Sequence, residues 1–262
     1  MNRTWHRHSP GERLLRYLLW LCMVAALVWA VRSIEIIPEF LTDAPEQMAD
    51  LLVRMWPPDL AHYYPSVHAA MIETLHIASL GTLLGICLAT PLALMAARNI
   101  CRNAALNTLA QLLLVSSRSV NSLVWALIFV AVFGPGPAAG TFAIAFRSVG
   151  FVGKLLAEAI EESAPGPLEA LTASGAPWGH RMLKGVWPQV EPAFWGIALF
   201  RWDINVRESA VLGLVGAGGI GVVLDDAISF FQWGRVATIL LAVLAVVVVA
   251  EILVTRIRAR LL

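Results

Sequence analysis

The sequence predicts an all-α integral membrane protein with about six transmembrane helices, and three observations carry that prediction. Hydrophobic residues make up 58% of the 262 and charged residues 14%, with a mean hydropathy of +0.72. A soluble domain is roughly 25% charged, so much of this surface must face something other than water. Six apolar stretches, 14–34, 68–96, 106–133, 137–160, 189–214 and 235–255, each reach the roughly 20 residues that a bilayer core requires. Positive charge is also distributed unevenly among the segments that join them.

The chain divides at residue 66. Residues 1–66 hold a basic tail, the first apolar run and a polar segment; residues 67–262 hold the other five runs. Arg3, Arg7, Arg13 and Arg16 precede Tyr17–Val31 as they would in a signal peptide, but Arg32 and Glu35 follow without a small-x-small cleavage site. An uncleaved first span is therefore expected. Within 35–66, Met48, Leu51, Leu52 and Met55 recur at helical spacing before Trp56-Pro57-Pro58-Asp59. A surface amphipathic helix and an ordinary folded loop both fit. In the third stretch Ser116, Ser117, Arg118, Ser119 and Asn121 interrupt the apolar run, where a helix break would fall.

With six spans and the N-terminus inside, Arg3, Arg7, Arg13, Arg16, Arg98, Arg102, Arg181, Lys184, Arg256, Arg258 and Arg260 lie on the cytoplasmic side. Arg32, Arg54 and Arg235 alone lie outside, alongside Glu35, Glu39, Asp43, Glu46, Asp50 and Asp59. Both termini are thus expected in the cytoplasm.

That orientation places 161–188 on the basic side. Pro167 suits a first helical turn, Glu169 complements the positive end of a helix, and Gly175 permits a reversal. The segment reads as two short helices joined by a turn, either a docking element or a plain connection. Here a resemblance appears. Glu169-Ala170-Leu171, then Gly175, then Gly185-Val186-Trp187-Pro188 resembles the cytoplasmic EAA loop of ABC-importer permeases, with the glycine-to-proline spacing kept and with departures at Leu171, Gly185 and Trp187. Further stretches, 118–129, Pro165-Gly166-Pro167, 201–207 and 215–221, are similar to phosphonate ABC-transporter permeases from about residue 56 onward. The resemblance implies a methionine-permease-like fold, a homodimer, a cytoplasmic ABC ATPase dimer that binds ATP and Mg, and a periplasmic substrate-binding protein, all in a bacterial inner membrane. It also implies that Glu169, Ala170, Gly175 and Pro188 couple to the ATPase.

Intramembrane arginine is an independent clue, because a charge at the bilayer centre is expensive and usually faces a cavity. At ~1.5 Å per residue, Arg118, Arg147 and Arg201 fall at similar depth on three different spans. Arg201 and Arg207 have Asp203 and Glu208 as local ion-pair candidates. Arg118 and Arg147 have no acid near them in sequence and read as an unpaired positive pair. Guanidinium suits bidentate binding of phosphate-like oxyanions, so Arg118, Asn121, Arg147, Ser148 and Arg201 are candidates for the substrate path; helix-holding ion pairs are the bland account.

Other signals carry less. Gly216-Ala217-Gly218-Gly219-Ile220-Gly221 satisfies GxGxxG, but a dinucleotide site needs a βαβ unit. Gly216, Gly218, Gly219 and Gly221 read instead as a gate or as close packing. Gly153-Lys154 lacks the rest of a phosphate loop, so no cofactor is expected on this chain. Cys22, Cys87 and Cys101 show no metal or redox spacing, the six histidines form no zinc pattern, and a net charge of +1 argues against nucleic acid. The expected function is a permease for phosphonate or a related phosphorus oxyanion, with lipid around it and ATP hydrolysis on a partner. Phosphite or hypophosphite import is the near variant. An ion-coupled secondary transporter would need coupling acids and leaves 165–188 without a role, and an intramembrane enzyme would need a catalytic constellation that no span supplies. Reporter fusions after Asp43 and Asp226 should read as external and a fusion after Gly175 as cytoplasmic; an external signal at Gly175 would overturn this topology.

Overall fold

The computed structural model describes residues 10–33, 38–101 and 103–261. Arg3, Arg7, Glu35 and Arg102, which entered the charge asymmetry, lie outside them. No strand occurs among the described residues, and the chain forms two units, 1–53 and 54–262.

The first unit is helical. Helix α1, Pro10–Ser33, presents leucine, valine and tryptophan all round, with Leu14, Trp20, Leu27 and Trp29 all more than half exposed. Its 24 residues extend about 36 Å, enough to cross a bilayer core. Helix α2, Pro38–Met55, covers most of the segment that sequence left open, and Met48 and Leu52 lie exposed along it.

In the second unit the helices pack around α6, Pro137–Glu161, which lies against α3 (His68–Ala96), α4 (Ala104–Ser119), α5 (Ser122–Phe133) and α9 (Trp187–Leu212). Lipid supplies no hydrophobic force between helices, so close packing through small residues must hold them together. Two glycines show it. A Cβ on Gly85 of α3 would stand 2.6 Å from Cβ of Ser148, and one on Gly150 of α6 would stand 2.8 Å from the Arg118 backbone nitrogen. The second approach brings the end of α4 onto α6. Leu114, Val152, Leu156 and Val190 fill the core between these helices.

The expected third span is two helices meeting at 93°. Val120 and Asn121 are extended at the corner. A break inside a membrane requires its backbone groups to find partners. Asn121 Oδ1 accepts from the Leu123 N–H, and Trp125 Nε1 donates to the Ser117 carbonyl at 3.3 Å.

By length and hydropathy alone, fewer than the expected six spans stand out among the described residues. Gly11–Ser33, Leu60–Ala96 and Trp233–Arg260 are long and apolar enough to cross alone, and the number reaches five if α4–α5 and the bent pair Trp178–Val215 and Ile220–Ser229 each count as one span. The expected fourth span is α6, which is rich in glycine and alanine and carries Arg147 and Lys154. It is the helix that the others surround, so its sequence answers to neighbouring helices more than to lipid.

The 161–188 segment begins as expected with a short helix, α7, Pro165–Ala173. The helix starts at Pro165, which places Glu169 beyond its first turn. Gly175 has φ +75°, its N–H meets the Thr172 carbonyl, and the Ala176 N–H meets that of Leu171, a Schellman closure. The second helix is not separate. Helix α8, Trp178–His180, continues through a π-helical stretch, Arg181–Val186, directly into α9. Helices α10, Ile220–Ser229, and α11, Trp233–Leu261, complete the chain.

Gly150→Val should separate α4 from α6 and cost about 1–3 kcal/mol or more by overpacking, read as thermal unfolding in detergent. Gly166→Ala meets nothing within 4 Å and should change stability by about 0.5 kcal/mol or less.

Candidate functional site

The corner between α4 and α5 opens on a cleft of ≈ 550 Å³ lined by Val115, Arg118, Ser119, Arg147, Phe151, Arg201, Ile204 and Glu208. Three guanidiniums share it with one carboxylate, so its net charge is positive. Arg118 stands at the C-terminal end of α4, where a helix favours a cation, and forms no ion pair among the described residues.

Arg147 and Arg201 are paired, and by the same group. Arg147 Nη1 lies 3.2 Å from Glu208 Oε1, and Arg201 Nη2 lies 3.4 Å from Glu208 Oε2. The expectation that Arg147 is unpaired is therefore corrected: its partner sits on another helix, invisible to local sequence. Arg207 pairs with Asp203 and, at 3.2 Å, with Glu251.

Neutral side chains extend the network. Arg201 Nε donates to Ser148 Oγ at 3.0 Å, and Asn205 Nδ2 donates to the same oxygen at 3.0 Å and to Thr82 Oγ1 at 2.7 Å. Arg147 Nη1 donates to Ser122 Oγ at 2.9 Å, whose hydroxyl turns to Asn121 Oδ1 at 3.3 Å. One chain of polar contacts thus links α3, α9, α6 and the start of α5. Ser148 is fully buried and stands behind the cleft as the anchor of Arg201. Asn121 caps α5 and does not line the cleft. Thr82, Asn205 and Ser122 were missed in the sequence, where only their position inside apolar runs could have marked them.

At the far end of α9, Glu169, Ala170, Gly175 and Pro188 are all exposed. Glu169 borders a second cleft, ≈ 820 Å³, with Asn99, Thr172, Trp178 and Arg181. Leu171 and Gly185, two departures from the EAA pattern, compensate each other: a Cβ on Gly185 would lie 3.2 Å from Leu171 Cδ1. The larger residue on α7 is matched by the smallest on the facing π-helical stretch.

Residues 89–262 match the family of binding-protein-dependent transport system inner membrane components. The chain belongs to that family. It is 37% identical over 247 residues, 94% of this chain and 86% of the other, to the phosphite transport system permease protein PtxC of Stutzerimonas stutzeri. It is 36% identical over 256 residues, 97% of this chain but 48% of the other, to the phosphate-import permease protein PhnE of Mycolicibacterium smegmatis. The fold is similar to that of a chain in a structure of the MetNI methionine ABC transporter solved in inward-facing conformations, with a TM-score of 0.66 at 20% identity over 75% of this chain and 96% of that one. The protein is a transport component of an inner membrane, and its family implies an ATPase and a substrate-binding protein as partners.

In this permease the glycine segment is tightly held. Gly216, Gly218 and Gly219 have φ of +80°, +81° and +75°. The Gly219 N–H donates to Glu73 Oε1 at 3.0 Å and the Ile220 N–H to Thr74 Oγ1 at 2.7 Å, so α3 caps α10. A Cβ on Gly221 would lie 2.6 Å from Cα of Gly213.

Ser148→Ala would leave the Arg201 and Asn205 donors buried without this acceptor, at about 1–3 kcal/mol for an unsatisfied group. The expected outcome is a clear loss of thermal stability in detergent, with Arg147 and Glu208 still paired.

Proposed function

We propose that this chain is the translocating subunit of an importer for phosphonate or a related phosphorus oxyanion. It works as a homodimer whose two copies face each other across their arginine clefts, with both termini in the cytoplasm. The cleft carries this reading. Its three arginines and single glutamate give it an excess of positive charge at the break between α4 and α5, and a planar guanidinium pairs well with tetrahedral oxyanions. Relatives named for phosphite transport and phosphate import support the phosphorus chemistry, and their names favour phosphite as the near variant.

In this reading, a periplasmic binding protein delivers the anion, Arg118 and Arg147 draw its oxygens into the cleft, and Arg201 supports the local field from behind. Glu169, Ala170, Gly175 and Pro188 dock a cytoplasmic ATPase dimer that binds ATP and Mg. Because Trp178 to Leu212 is one helical run, closure of the ATPase would move Arg201 and Glu208 together. Gly216, Gly218, Gly219 and Gly221 would form the outer gate, opened when α10 leaves its caps on α3.

Two experiments test this in liposomes holding the permease, its ATPase and its binding protein. Initial uptake of methylphosphonate, phosphite and hypophosphite should identify at least one substrate. Arg118→Met should lower that uptake about tenfold or more, the scale of one lost charge-assisted contact, while Arg118→Lys recovers part of it. Wild-type uptake by Arg118→Met would refute the role of the cleft. Separately, Glu169→Lys should abolish uptake and weaken ATPase co-purification while the permease still inserts; normal co-purification would refute docking.

A further inference from the structure

The cleft holds its three arginines in three different states. Arg201 is committed: its side chain is 3% exposed, donates to Ser148, and has Phe151 5.4 Å from its guanidinium carbon. It shares α9 with Glu208, so that pair moves as one piece. Arg118 forms no ion pair among the described residues. Arg147 stands between these extremes. It is 29% exposed and, among the described residues, is held only by Ser122 and, across the α6–α9 boundary, by Glu208.

Glu208 gives one oxygen to each neighbour, Oε1 to Arg147 and Oε2 to Arg201. Two anionic oxygens bridging two guanidiniums is the contact that a tetrahedral oxyanion would itself make. The geometry points to Glu208 as a resident counter-anion: it occupies Arg147 while the cleft is empty, and an oxyanion with two or more charged or strongly polar oxygens displaces it from Arg147 to bind beside Arg118. Only the contact between α6 and α9 has to open. The Arg201–Glu208 contact persists, so the exchange never leaves a buried charge bare.

This role makes Glu208 a specificity determinant. An anion must out-compete a carboxylate already in place, which small, weakly coordinating anions fail to do. The same competition keeps binding weak enough for release, and carboxylate exchange replaces the substrate's charge as it departs. The inference rests on the oxyanion reading proposed above and adds the residue that sets its threshold.

The test uses the nucleotide-free permease–ATPase complex and equilibrium binding of radiolabelled methylphosphonate and, separately, sulfate. Glu208→Gln should bind the probe about tenfold more tightly than wild type, the scale of one charge-assisted contact, while its uptake rate falls. The gain should vanish in the double variant Arg147→Met/Glu208→Gln. A purely structural role predicts weaker or unchanged binding together with lower uptake, and either result in an assembled Glu208→Gln complex overturns the inference. Where Glu208→Gln does not assemble, Glu208→Asp carries the test. One methylene shorter, it draws the carboxylate back from both guanidiniums and so loosens its hold on Arg147, so tightening in the same direction is required and its absence is equally fatal. Tightening for sulfate but not for methylphosphonate upholds the counter-anion and overturns the phosphorus assignment instead.

Discussion

Two guanidiniums inside a membrane-spanning bundle must have a negative partner, and Glu208 serves both Arg147 of α6 and Arg201 of α9. Much of the surrounding arrangement follows from that need. The carboxylate can reach α6 only if α9 lies close to it, and Ser148 marks how close, since its hydroxyl takes donors from two residues of α9. Gly85 of α3 leaves the room that Ser148 needs. A charge of this kind is tolerated in lipid because it is enclosed and paired. With one carboxylate against three guanidiniums, the cleft keeps an excess of positive charge, to which Arg118 contributes without an ion-pair partner among the described residues.

The break between α4 and α5 is the second element of the site. A straight continuation of α4 would carry Ser122 and the rest of α5 away from Arg147. Ending α4 at Ser119 and turning the chain by 93° leaves Arg118 at the rim, and the capping by Asn121 and the bond from Trp125 satisfy the backbone there. Ser122, the first residue of α5, then holds Arg147, so the corner and the ion-pair network brace each other.

The continuity of Trp178 through Leu212 gives the family membership a physical form. A loop with its own turn on each side would absorb motion; a helix that runs through a π-helical stretch into the bundle transmits it. Leu171 packed toward Gly185 fixes α7 to the same rod. The proposed docking residues on α7 thus lie beside the start of the helical run that carries Arg201 and Glu208 toward its other end.

The sequence by itself determined the helical membrane class, the interruption at 116–121, the Gly175 turn and the three arginines. Those features are written in local composition: apolar run length, a glycine at a positive φ, and charges standing out against lipid-compatible surroundings. Tertiary structure decided which charges meet. Glu208 belongs to Arg147 as much as to Arg201, Ser148 is an anchor and not a wall, and α8 is the start of α9; none of these follows from neighbours in the chain. It also decided that α6 is the helix the others enclose, because a helix packed against protein on most sides is selected for small residues and tolerates charge, and so reads as a weak span. Pairing and burial depend on residues distant in sequence, which only the packed bundle brings within reach.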